Sequence, residues 1–323
     1  MKCYARALSP GLRMMAGMAI GAWFCAHAAA QTPLRVTYLP TLDAVPMFMA
    51  MEKGYFKEEG VVVQATPSQG GAAAIPGLMG GAYDITFSNV VSTLLAQQQG
   101  FKLRVIAAGT KNDPSAKPVT GLLTRKADGI KSGKDFEGKS IAVNTRNGVI
   151  WLFARSWVKK TGGDPSKVMF KEVPFPQMGD ALRNKQVDGI FTISPFADSA
   201  TKEGDVVRAA DPYTEVQPTA DIGHFVTTED FFQKNQEATR KFGRALRKGV
   251  QYVNANFKAP ETQLLISTVT KLTPEIVATL PQMVMPERVY PEEYAKTMAL
   301  MVDAGLLRSG VDLSSMIDPA QTK

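Results

Sequence analysis

From Leu34 onward, short apolar runs rich in β-branched residues alternate with stretches whose apolar positions recur at helical spacing. Residues 35–39, 61–64, 84–87 and 104–108 read as strands. Between them, 47–57 (with Phe48, Met51 and Tyr55 on one face), 72–79 and 90–99 read as helices. Such a βα series predicts a mostly parallel sheet with helices on both faces. After the polar stretch 111–118 a second series begins. Strands are predicted over 121–124, 140–143, 168–173, 188–192 and 206–209, with helices over 151–160 and 177–185. Beyond His224 the pattern becomes helical, over 229–257, 260–270, 274–280 and 291–306, and Pro274 and Pro291 suit first helical positions.

Two α/β series in one chain predict two lobes crossed twice by the backbone, near 119–121 and 222–226. The expected division is 31–118 plus 226–323 for one lobe and 119–225 for the other. Crossovers of this kind make a hinge, with a ligand cleft between the lobes.

The first thirty residues fall outside this pattern. Lys2, Arg6 and Arg13 precede a short apolar run over 14–24, and Ala28-Ala29-Ala30 follows it. The order is that of a cleaved export signal ending at Ala30, which places the protein in the periplasm. Both cysteines, Cys3 and Cys25, lie in this segment, as does His27. Residues 31–323 therefore hold no cysteine and a single histidine, His224, which leaves no material for a cysteine or histidine metal site or a two-histidine relay. The whole chain carries 37 Lys and Arg against 30 Asp and Glu, +7 at pH 7, with the charges interspersed. That is the pattern of a solvated surface, and no nucleic-acid partner is expected.

The stretch Ser68-Gln-Gly-Gly-Ala-Ala-Ala-Ile-Pro-Gly77 poses the main chemical question, because glycines before a helix let backbone N–H groups close around a ligand. It lacks the Lys-Ser/Thr of a phosphate loop and the spacing of a dinucleotide fingerprint. It reads instead as one of several strand-to-helix turns lining a cleft, since ligands of open α/β sheets sit beyond the carboxyl ends of strands. The turns at 40–43, 69–72, 88–89, 144–148 and 194–196 supply the candidates. These are Thr41, Asp43, Gly70, Gly71, Ala72, Ser88, Asn89, Asn144, Thr145, Arg146, Ser194 and Phe196, with Phe48, Trp151 and His224 beside them. Each has a structural reading as well. Gly70 and Gly71 serve a turn, Ser88 and Asn89 cap a helix, Phe48 packs in a core, and His224 belongs to a hinge. Asp84 and Asp188 precede strands and read as structural. Were the ligand an anion, Arg146 at a helix start would be its natural grip, through two parallel hydrogen bonds.

Four stretches carry a family resemblance: AMEKGYFKEEG at 50–60, GLMGGAYDI at 77–85, DFEGKSIAV at 135–143 and ALRNKQVDG at 181–189. In this order the chain resembles the periplasmic substrate-binding proteins of the nitrate/sulfonate/taurine ABC-transporter group, which are related to thiamine-precursor binding proteins. Many of that group carry a Trp before the Pro of the second-lobe loop, where this chain reads Ile193-Ser194-Pro195-Phe196. The resemblance implies a two-lobed α/β binding protein, monomeric, without cofactor or metal. It would deliver a small polar or anionic molecule, whether sulfonate, carboxylate or pyrimidine, to an inner-membrane permease. A ligand-sensing module for a receptor and a pyrimidine-synthase-like enzyme are the alternatives. The enzyme would need clustered His and Cys residues.

Overall fold

The structure, a computed structural model, describes residues 31–283, 285–308 and 310–323. The expected export signal lies outside them. The first series runs β1 (Thr32–Tyr38), α1 (Val45–Glu52), α2 (Tyr55–Glu58), β2 (Val61–Pro67), α3 (Gly71–Met79), β3 (Ile85–Asn89), α4 (Val90–Gln98) and β4 (Leu103–Lys111). The second runs β5 (Thr120–Arg125), β6 (Ser140–Val143), α5 (Val149–Lys160), β7 (Met169–Glu172), α6 (Phe175–Arg183), β8 (Gly189–Ile193), α7 (Phe196–Thr201), β9 (Val206–Ala210) and α8 (Pro212–Val216). The chain then returns through β10 (Asp221–Thr228) and closes with α9 (Glu229–Lys234), α10 (Gln236–Asn256), α11 (Pro260–Thr270), α12 (Pro274–Thr279), α13 (Pro291–Asp303) and α14 (Leu313–Met316).

Two five-stranded sheets result, ordered β2-β1-β3-β10-β4 and β7-β6-β8-β5-β9. Each is mixed rather than mostly parallel. The β1–β2, β1–β3, β6–β7 and β6–β8 ladders are parallel, whereas β10 opposes β3 and β4, and β5 opposes β8 and β9. Apart from β5 and β10, the strands of each sheet all point one way, as βα units require. The reversed strand in each sheet is the one on which the chain has just crossed from the other lobe, so it enters from the opposite end. Sequence spacing reads only local units, and β10 was visible in it only as a bridging stretch.

Two of the expected helices are interrupted. Residues 47–57 break at Gly54, whose φ of 76° is left-handed, and this turns α1 into α2. Residues 229–257 break at Asn235, separating α9 from α10.

Each sheet is pinned by an aspartate that precedes a central strand. Asp84 accepts hydrogen bonds from the Arg35 backbone N–H at 2.8 Å and from the Arg35 guanidinium at 3.0 and 2.6 Å. Asp188 accepts from the Ser140 N–H and hydroxyl, both at 2.8 Å. Burial alone would raise the Asp188 pKa, but these bonds and the nearby Arg125 and Lys139 outweigh it and hold the group below the usual carboxylate range. Below the sheets, Leu34, Val36, Ile85 and Phe225 fill one core, and Ile141, Phe153, Trp157 and Phe191 fill the other.

Candidate functional site

A cavity opens where both series present the carboxyl ends of their parallel strands. Leu42, Asp43, Gly70, Phe87, Ser88 and Thr110 line it from the first sheet's side, and Asn144, Ile150, Phe175, Ser194 and Tyr213 from the second's. The two sides approach closely at its rim, where a Cβ built on Gly70 would lie 3.5 Å from Asn144 Nδ2.

Four helices begin at this cavity. Gly70, with φ 125°, precedes α3, and its conformation is one that only glycine takes easily. Gly71 is packed so tightly on Ser88 that a Cβ there would lie 2.2 Å from Ser88 Oγ. Asn89 caps α4, its Oδ1 accepting from Ser92 N–H at 3.0 Å while its Nδ2 donates to Ser92 Oγ at 3.0 Å. Val149 and Ile150 open α5, and Phe175 opens α6. Helix starts leave backbone N–H groups unpaired and carry partial positive charge, so donors converge here from both lobes.

The charged and polar side chains give this donor-rich cleft its particular chemistry. Asp43 accepts hydrogen bonds from the hydroxyls of Thr41 and Thr110. Tyr213 lines the opposite side; burial, then the charges of Asp43 and Asp211, raise its pKa well above the ordinary tyrosine value, so it keeps its proton. Ser194 is buried, and its hydroxyl has no hydrogen-bond partner among the described residues. Among the described residues, no Lys, Arg or His lines the cavity. Asn89, Asn144, Thr110 and Thr120 add further polar groups, and Leu39, Leu42, Phe87, Ile150 and Phe175 supply an apolar part of the wall.

Of the candidates read from sequence, Asp43, Gly70, Gly71, Ser88, Asn89, Asn144 and Ser194 are brought together around this space. The others are not. Thr41 is buried behind the wall, bonded to Asp43. Phe48 packs edge-on against Tyr38, 4.8 Å between ring centres. Ala72 points to solvent from α3, and Thr145 is half-buried off the lining. Phe196 stacks behind Phe175 at 6.0 Å. Trp151 faces the lobe core, edge-on to Phe170 at 5.9 Å, because the turn rotates Val149 and Ile150 toward the cleft instead. Arg146 is exposed at the crest of its turn, where its backbone N–H is held by Glu172 Oε1 at 2.6 Å, so the expected anion grip is not in the cavity wall.

His224 is fully buried one layer behind the wall. Its Nε2 meets Thr93 Oγ1 at 2.8 Å and its Nδ1 meets the Tyr294 hydroxyl. Burial pushes its pKa down to about 3, so the ring is neutral. Sequence reading missed most of the apolar wall, including Leu42, Phe87 and Tyr213, because a wall residue and a core residue share one pattern. Phe175 is within reach of sequence reading, since the turn from β7 into α6 obeys the same carboxyl-end rule as the other strand-to-helix turns.

Comparison with known proteins agrees with this architecture. Residues 41–259 match the family described as NMT1/THI5 like. A putative binding protein of Bacillus subtilis, YtlA, is 22% identical over 72% of this chain and 70% of its own. A 4-amino-5-hydroxymethyl-2-methylpyrimidine phosphate synthase of Saccharomyces cerevisiae is 24% identical over 69% of this chain and 68% of its own. Among solved structures, the periplasmic aliphatic sulphonate binding protein SsuA of Escherichia coli superposes with a TM-score of 0.71 at 15% identity, covering 88% of this chain and 97% of that one. The chain thus belongs to the NMT1/THI5-like family and has the two-lobed α/β fold of the periplasmic binding proteins.

Proposed function

We propose that the protein is the exported solute-binding component of an ABC importer, which captures a small molecule between its lobes and hands it to a membrane permease. The observation that carries this reading is the cavity itself, built from both lobes at the strand ends and rimmed by helix starts. Ligand contact with both lobes favours the closed form, the usual device of two-lobed binding proteins. The family and the fold support it, and so does the name of the sulphonate-binding neighbour.

The lining narrows the ligand. A carboxylate at Asp43, with no cationic side chain among the described residues of the wall, disfavours a fully charged anion in a dry site. Three aromatic residues in the lining, Phe87, Phe175 and Tyr213, favour something flat. We therefore read the ligand as a small neutral or cationic heterocycle with hydrogen-bond donors for Asp43. The pyrimidine ring of the phosphate ester named in the yeast relative is of this kind; the phosphate itself and the sulphonate named in the structural neighbour are not.

A thermal-shift comparison of 4-amino-5-hydroxymethyl-2-methylpyrimidine, an alkanesulfonate and nitrate tests the reading. The pyrimidine should stabilise the fold by about 2.7 kcal/mol at a hundredfold excess over Kd. Asp43→Asn should weaken that binding about tenfold or more, and Arg146→Ala should leave it near the wild-type value. A shift with the sulfonate and none with the pyrimidine would overturn the ligand class. Recovery of the bound molecule unaltered separates a binding protein from a synthase.

A further inference from the structure

Behind the cavity wall lies a line of four side chains that the reading above leaves unused. It runs from the Tyr294 hydroxyl on α13 to His224 Nδ1, from His224 Nε2 to Thr93 Oγ1 at 2.8 Å, and from Thr93 Oγ1 to Ser88 Oγ at 3.0 Å. Tyr294, His224 and Thr93 are fully buried, and Ser88, itself 1% exposed, lines the cavity. The Tyr294 and His224 rings also stack, 5.4 Å apart and 19° from parallel.

The polarity of the line follows from its buried end. Burial, with Asp221 nearby, raises the Tyr294 pKa well above the ordinary value, so the O–H is intact. Its one partner among the described residues is His224 Nδ1. A buried hydroxyl proton without an acceptor is costly, so Tyr294 must donate. Nδ1 is then the bare nitrogen of a neutral ring, and Nε2 carries the proton and donates to Thr93. Thr93, having accepted, spends its own proton on Ser88. Ser88 Oγ receives that bond and keeps its O–H, whose one other acceptor among the described residues is the Asn89 carbonyl, at the long distance of 3.5 Å. The reverse polarity would strand the tyrosine proton in the core.

We propose that Tyr294, His224 and Thr93 are positioning residues that fix the Ser88 hydroxyl as a donor into the cleft, so that this corner of the site takes a ligand acceptor atom. A ring nitrogen or a carbonyl oxygen fits it, and an N–H group is turned away. With Asp43 as acceptor on the same wall, the site reads a ligand edge carrying both an acceptor and a donor, as an amino-substituted ring does. The ligand part of this inference rests on the cleft being the binding site; the polarity of the line does not.

Proton–nitrogen couplings in the full chain with isotope-labelled histidine test the polarity directly, with His27→Gln identifying the other ring. At neutral pH the His224 proton should sit on Nε2 alone. A proton on Nδ1, or a charged ring, would overturn the proposal. Tyr294→Phe should release the ring from that single tautomer and weaken binding of 4-amino-5-hydroxymethyl-2-methylpyrimidine about three- to tenfold. Ser88→Ala should weaken it by a similar factor, and the double variant should lose little more, because both remove the same bond. Independent, additive losses would sink the coupling. If wild type does not bind this pyrimidine, the ligand reading falls, and the tautomer alone decides the line.

Discussion

At the scale of single residues, the cavity is shaped as much by missing atoms as by present ones. Gly71 stands where α3 meets Ser88, and a methyl group there would lie 2.2 Å from the serine Oγ and 2.8 Å from its Cα. The second contact is with backbone, which cannot rotate away. Gly71→Ala should therefore push β3 and α3 apart, costing about 1–3 kcal/mol as overpacking does. It should also abolish binding by displacing Ser88. Chemical denaturation and calorimetry read both effects; full affinity in this variant would mean that Ser88 does not touch the ligand. Gly138, unlike Gly71, has a positive φ, and nothing lies within 4 Å of its Cβ position. An alanine there meets only backbone strain and leaves binding untouched.

At the scale of elements, β10 holds two buried titratable groups whose effects on stability oppose each other. Burial raises the Asp221 pKa from 3.8 to about 7, only partly countered by the Tyr290 N–H and Lys111. Burial lowers that of His224 from 6.5 to about 3. For Asp221 the folded state holds the extra proton, so its favourable contribution is present at low pH and is lost as pH rises toward 7. For His224 the unfolded state holds the extra proton, so its contribution is present above 6.5 and is lost as pH falls. Between about 4 and 6.5 the two slopes cancel. Asp221→Asn should unmask the histidine, giving a stability that climbs relative to wild type from pH 4 to 7, by at most about 4 kcal/mol. His224→Gln should show the opposite trend, gaining on wild type as pH falls below 6.5. Urea denaturation across this range checks both. Parallel curves for variant and wild type would mean that neither group is as dry as its position implies.

At the scale of the whole molecule, both sheets contribute to one cavity, and among the described residues two backbone passages join them, at residues 112–119 and 217–220. Few covalent links and a shared ligand are the conditions for hinge closure. Saturation with a bound pyrimidine should shrink the radius of gyration measured by X-ray scattering, because the ligand-free protein would sample a more open form. An unchanged radius would point to a cavity already closed without ligand. The reversed strands β5 and β10 sit beside the passages, so each link runs straight from one sheet into the other and bending falls on the short connectors.

The alternation of apolar runs and helical spacing was enough to determine two α/β series, most element positions, and the rule that chemistry collects at strand-to-helix turns. Local pattern carries these because each depends on neighbours in sequence. It was enough for Gly70, Gly71, Ser88 and Asn89, which open helices whichever way the sheets are assembled. Tertiary structure alone decided which side of each turn faces the cleft. Trp151 follows Ile150 in α5, and a rotation of about 100° per helical residue turns it into the lobe core while Ile150 faces the cavity; Arg146, in the turn before the helix, is exposed. It also decided where β10 would insert, between β3 and β4, and so brought His224 against Thr93 and Tyr294 across 131 and 70 residues of chain. No local spacing encodes such contacts, because the partners meet only once both sheets have formed and the helices after β10 have packed against them.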